Sequence, residues 1–179
     1  MIEYMNLLLL SGNSKRNKEW IHRVGEALSD SFSSTLVHHY RHWDSGEEFI
    51  DLDYELGKVV QEAQNLKSYS IFAKSVGSIL ALKGTVAQLL QPSSIIITGL
   101  PLSLIETENI PVLEWFKKIR IPITIAQNNQ DPLGSYDEVK KFAGRTNRPG
   151  LTIVKLTGNT HDYEDMGRLK ELARNSSSL

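Results

Sequence analysis

An alternation of short apolar runs with helically spaced stretches constrains this chain more than any other feature. The runs fall at Tyr4–Leu10, Thr35–Tyr40, Tyr69–Ala73, Ser94–Thr98, Ile121–Ala126 and Leu151–Leu156. Several are rich in β-branched residues, as in Ile95-Ile96-Ile97-Thr98. Near-continuous apolar runs of this kind suit strands covered on both faces, as in a parallel sheet. Between them, apolar residues recur at helical spacing: Trp20, Ile21, Val24 and Leu28; Leu52, Leu56, Val59, Val60 and Ala63; Ile79, Leu82, Val86 and Leu89 or Leu90; Val112, Phe116 and Ile119; and Met166, Leu169, Leu172 and Ala173. Ser45 with Glu48, and Ser135 with Glu138, have the spacing of capping boxes. Strand and helix therefore alternate six times. That predicts an α/β, three-layer, doubly wound sandwich of about six mostly parallel strands, with right-handed crossovers and helices on both faces.

The chain of 179 residues fits one domain, expected over 1–174, with a frayed or disordered tail at 175–179. A formal net charge of −1, with both signs interleaved, argues against a nucleic-acid partner. Cysteine is absent, which excludes disulfides, thiolate catalysis and Cys-ligated zinc or iron–sulfur centres. Leu7–Leu10 is far too short to span a membrane and lacks the flanks of a secretory signal. A cytoplasmic location and no membrane partner are the default expectation.

The sharpest local signal is Ala73-Lys-Ser75-Val-Gly77, where a buried run passes straight into a helical pattern. A serine at such a strand-to-helix turn projects its hydroxyl over the C-terminal edge of the sheet. Small neighbours are needed because the turn crowds the chain, and Ala73 and Gly77 supply them. The usual pattern is Gly-x-Ser-x-Gly; here Ala73 stands at the first glycine. The plainer reading of Ser75 is a helix N-cap. Two further segments weigh against that reading. Asn128-Asn-Gln-Asp131-Pro-Leu follows the fifth run, and Gly158-Asn-Thr-His161 follows the sixth. Both lie just past strand ends, at the edge where open α/β sheets place their sites.

The order Ser75, Asp131, His161 and their placement after successive strands resemble the α/β-hydrolase superfamily over nearly the whole chain. More narrowly, the sequence is similar to small members without a cap domain. The resemblance implies a serine hydrolase acting on a small ester or thioester through an acyl-enzyme. Ser75 would be the nucleophile, His161 the general base and Asp131 the orienting acid, with no cofactor and no metal. The chemistry fits those residue types: a neutral hydroxyl needs a base, and a carboxylate fixes the base's tautomer and stabilises its imidazolium. Asp137 and, less plausibly, Asp162 are rivals for the acid. The Val76 N–H would serve an oxyanion hole, with a second donor from Asn13 or Ser14 in the loop Ser11-Gly-Asn-Ser14.

In Tyr40-Arg-His42-Trp43, at the same edge, His42 and Trp43 are candidates to line a substrate pocket, although aromatics there more often pack over a helix. Leu100–Ile110 stands where larger relatives insert a cap and is long enough only for a flap. That implies a shallow site suited to small esters. The chain also begins at what resembles the third strand of larger members, which leaves Thr35–Tyr40 as a sheet edge. A monomer, or a homodimer through that edge, is compatible with this reading. Two other readings stay open: acyl transfer to an acceptor other than water, and a non-catalytic binding protein that keeps the fold.

Overall fold

Successive side chains of a strand point to opposite faces, so the completely buried run Leu7–Leu10 needs cover on both sides. The computed structural model, which describes residues 5–176, provides it. Six strands, β1 (Asn6–Leu10), β2 (Thr35–Val37), β3 (Tyr69–Lys74), β4 (Ile95–Thr98), β5 (Ile123–Asn128) and β6 (Leu151–Leu156), lie in the order β2-β1-β3-β4-β5-β6. Every pairing is parallel. The helices are α1 (Asn17–Leu28), α2 (His42–Ser45), α3 (Leu52–Ala63), α4 (Val76–Val86), α5 (Leu102–Thr107), α6 (Val112–Lys118), α7 (Tyr136–Gly144) and α8 (Met166–Ser176). One layer is formed by α1 packed on α8; the other contains α3, α4, α6 and α7. No helix among the described residues is long and apolar enough to cross a membrane.

The core runs through the sheet centre, where Leu7–Leu10, Ile71–Ala73 and Ile95–Ile97 are fully buried. Burying one such aliphatic side chain contributes about 1.5–3 kcal/mol. From β1 the chain first steps outward to β2, then jumps back to β3 and proceeds the other way. The crevice between the C-terminal ends of β1 and β3 is thus the point where strand order reverses, the usual location of a site in an open α/β sheet.

Several boundaries differ from those expected. Tyr4 lies outside the described residues, and β1 starts at Asn6. β2, at the sheet edge, stops at Val37. Beyond it His38 N still bonds the Leu9 carbonyl, but the His38 ring is drawn between Glu55 and Glu62. β5 runs two residues further than its apolar pattern, because Gln127 and Asn128 are buried with their amides bonded to loop backbone. Ser135 and Glu138 form the expected capping box at α7. Ser45 caps nothing: it ends α2 and bonds Glu47, while Asp51 caps α3 by accepting from Tyr54 N. Asn175 and Ser176 belong to α8, and the rest of the expected tail, 177–179, lies outside the described residues.

Helix α4 packs hard against the end of β1. A Cβ added at Gly77 would lie 2.5 Å from the Ser11 carbonyl oxygen and 2.7 Å from that of Leu10. Both obstacles are backbone and cannot swing aside. Gly77→Ala should therefore lower the urea unfolding free energy by about 1–3 kcal/mol, the usual range for overpacking. Gly57 sits in an exposed turn of α3, where an added Cβ would meet nothing within 4 Å. Gly57→Ala should raise the same quantity by about 0.5–1 kcal/mol through helix propensity.

Candidate active site

Ser75 occupies the turn between β3 and α4 with φ 52° and ψ −124°, a region that a residue with a side chain rarely adopts. Holding it costs on the order of 1–3 kcal/mol and needs surroundings that over-determine the backbone. They do. Ser75 N bonds the Thr98 carbonyl at the end of β4 (3.2 Å), Ser78 N and Oγ bond the Ser75 carbonyl (2.9 and 2.5 Å), and Gly77 lets α4 start immediately. Ala73 is buried between Leu10 and Ile97 of the neighbouring strands. Val76 is the first residue of α4, so its N–H is among those a helix leaves without an internal partner.

Asp131 follows β5, and its side chain is fully buried. His161, after β6, meets it through Nδ1, at 2.8 Å from Oδ2 and 3.0 Å from Oδ1. Because a carboxylate only accepts, Nδ1 is the donor in this contact, which leaves Nε2 as the ring nitrogen free of Asp131. That Nε2 is buried and has no hydrogen-bond partner. Of the rival acids, Asp137 is in the first turn of α7, and Asp162 lies 3.9 Å from the Lys74 ammonium. No hydrogen bond joins His161 Nε2 to Ser75 among the described residues; His161 instead lies against Gly99, next after the residue whose carbonyl Ser75 N bonds. A Cβ there would stand 2.9 Å from His161 Cε1 and 2.6 Å from the Tyr163 ring.

Further residues, to which the sequence assigned no catalytic or binding role, build the pair's surroundings. Tyr163 donates its hydroxyl to Asp131 Oδ2 (2.6 Å) and accepts from Asn128 N (3.2 Å), while its carbonyl takes the Trp20 indole N–H (2.8 Å). Burial, reinforced by the Asp131 charge, pushes the Tyr163 phenol well above its usual range, so it acts as a donor. Leu133 N donates to Asp131 Oδ1 (2.9 Å). The Asn128 amide holds the Thr160 carbonyl (2.9 Å), and Gly158 N bonds Asn129 Oδ1 (2.8 Å), so the loops after β5 and β6 are knitted together. Gly158 is required there, because a Cβ would strike Asn128 Cγ at 2.6 Å. Lys74, just before Ser75, is 2% exposed. Its ammonium bonds Asn17 Oδ1 (2.9 Å) and lies 4.6 Å from the Trp20 ring centroid. Burial lowers its pKa, opposed by Asp162, Glu164 and Asp131. Lys74, Arg16, Asn17, Trp20 and Asp162 line a cleft of about 500 Å³ beside the Ser75 turn.

The loop after β1 sits against the Ser75 turn, with an ideal Cβ on Gly12 only 3.4 Å from Ser75 Cβ. Asn13 and Ser14 follow in that loop. His42 and Trp43, expected as pocket lining, are instead buried beneath the loop, and both donate to the Asn13 carbonyl. Their rings pack with Tyr40, which is why they face the loop and not a cavity. The flap segment forms the short helix α5, anchored by buried Leu102 and Ile105.

The strain at Ser75 is separable from its chemistry. Glycine enters this backbone region freely, whereas alanine carries the same strain as serine. In urea denaturation Ser75→Gly should exceed Ser75→Ala in stability by about 1 kcal/mol, despite the entropy glycine adds to the unfolded chain.

Comparison with known proteins agrees with this architecture. A family model described as an alpha/beta hydrolase domain matches residues 41–176. No curated protein matches the sequence. Among solved structures, the Pyrococcus furiosus esterase Pf2001 superposes with a TM-score of 0.74 at 17% identity, covering 98% of this chain and 82% of that one. Est1E from Butyrivibrio proteoclasticus, with ferulic acid bound, gives 0.74 at 14% identity, covering 98% and 90%. An N-formylmaleamic acid deformylase from Pseudomonas putida gives 0.68 at 14% identity, covering 94% and 92%. At such identities the likeness is one of fold. With the family model spanning most of the chain and the six-stranded parallel sheet in place, this protein belongs to the α/β-hydrolase family.

Proposed function

We propose that this protein is a serine hydrolase that cleaves small esters or thioesters through an acyl-enzyme. The observation that carries this reading is the His161 imidazole, gripped through Nδ1 by a fully buried Asp131 and left with a buried Nε2 free of Asp131. The strained Ser75 turn is tied by its backbone N–H to Thr98, the residue before the Gly99 that meets the His161 ring. The family supports hydrolysis as the reaction class, and the names of the esterase and the deformylase among the structural neighbours point to acyl substrates.

In the proposed reaction, Nε2 takes the Ser75 hydroxyl proton as the oxygen attacks the substrate carbonyl. The negative charge moves to the carbonyl oxygen and is met by the Val76 N–H and an N–H of the Asn13–Ser14 segment. His161, now an imidazolium stabilised by Asp131, returns the proton to the leaving oxygen or sulfur as that bond breaks. Water then repeats the sequence on the acyl-enzyme, releasing the acid and restoring Ser75. Tyr163 and the Leu133 N–H hold the Asp131 carboxyl group in its orientation throughout. A flap limited to α5 leaves the site shallow, which favours short acyl groups.

Hydrolysis of p-nitrophenyl esters tests this reading. The wild type should turn over acetate and butyrate esters faster than the palmitate. Ser75→Ala and His161→Ala should each lower kcat by about a thousandfold or more. Full activity in either variant would remove that residue from its role, and a preference for the palmitate would overturn the shallow-site argument.

A further inference from the structure

We infer that His42 and Trp43 are positioning residues that aim the loop donor of the oxyanion hole, by clamping the carbonyl of Asn13. This role rests on the serine-hydrolase reading above. The Asn13 carbonyl accepts two side-chain N–H bonds, from His42 Nε2 at 2.7 Å and Trp43 Nε1 at 3.1 Å. Since a carbonyl only accepts, His42 carries its proton on Nε2, and its buried Nδ1 has no partner. Both residues are 5% exposed or less, so the clamp is shielded from water. Two bonds to one carbonyl is more than a tight turn needs for polar satisfaction.

The clamp has a defined effect on the neighbouring amides. In a trans peptide the carbonyl and the following N–H point in opposite directions, and no cis bond occurs among the described residues. Drawing the Asn13 carbonyl down onto the rings turns the Ser14 N–H away from them. The Asn13 N–H belongs to the preceding peptide plane, which only the φ and ψ of Asn13 separate from the clamped carbonyl. The side chain of Asn13 limits those rotations in turn, because Oδ1 accepts from Ile50 N (2.8 Å) and Nδ2 donates to the Glu48 carbonyl (3.0 Å). Two residues further back, Tyr40 donates to the Ser11 carbonyl (2.9 Å) and stacks on His42. The whole Ser11–Asn13 segment is pinned from one side by the aromatic cluster that follows β2, while its Gly12 rests against Ser75. Oxyanion stabilisation depends on donors already in place when charge develops, so a loop pinned in this manner needs no reorganisation during reaction.

The test compares Trp43→Phe and His42→Phe, which keep an aromatic ring but lose the N–H, with His42→Gln, which restores a donor. Each folded variant, checked by its melting curve, is assayed with p-nitrophenyl butyrate and with a trifluoromethyl ketone that forms a tetrahedral adduct. Each Phe variant should lose about tenfold in kcat with KM nearly unchanged, a smaller loss than outright removal of an oxyanion donor causes. It should bind the ketone about tenfold more weakly, and His42→Gln should recover most of both. Phe variants with wild-type kcat and ketone affinity would overturn the clamp and leave the hydrolase reading standing. So would losses in KM without loss of ketone affinity. A wild type that neither hydrolyses the ester nor binds the ketone would overturn both.

Discussion

Helix α4 meets the carbonyl ends of β1 at a distance no side chain would tolerate, and the site depends on that contact at Gly77. It lets the helix begin one residue after Ser75, which forces the serine into its left-handed turn. It also brings the loop after β1 against Ser75, so that the proposed nucleophile and oxyanion donors share one wall. The strain is local, on the order of 1–3 kcal/mol, and is offset by a sheet whose central strands are completely buried. A rigid sheet edge and a strained turn are complementary: the first makes the second possible.

The second organising element is the fully buried carboxyl group of Asp131. Buried oxygens of this kind need hydrogen-bond partners. Here His161, the Tyr163 hydroxyl and the Leu133 N–H supply them. Tyr163 joins this network to the rest of the fold, since its backbone carbonyl receives the Trp20 indole of α1 and its hydroxyl reaches β5 at Asn128. The histidine loop is thus tied both to α1 and to the sheet, although it follows an edge strand.

Much of the architecture was legible because apolar periodicity is a local property. The six runs and the alternation with helices follow from it, Ser135–Glu138 announces α7, and the edge position of β2 was implied by the resemblance to larger hydrolases. The contact between Asp131 and His161 could be anticipated because both follow strands at one sheet edge. What escaped was mostly polar and buried. Gln127 and Asn128 read as loop residues, yet they extend β5, because their amides satisfy backbone groups of loops distant in sequence. Lys74 and Tyr163 carry no local signal, since their partners Asn17, Trp20 and Asp131 arrive only through tertiary packing. His42 and Trp43 were visible as an aromatic cluster, but which side of the loop they would meet depended on where Asn13 turned its carbonyl.

The most direct measurement of the central claim is the site of covalent capture by a fluorophosphonate probe, read by mass spectrometry of the digested protein. Serine attack on phosphorus uses the same activated hydroxyl and the same oxyanion donors as acyl transfer. The account predicts one adduct, on the peptide carrying Ser75, lost in Ser75→Ala and strongly slowed in His161→Ala. An unlabelled wild type, or equal labelling of Ser75→Ala, would contradict it.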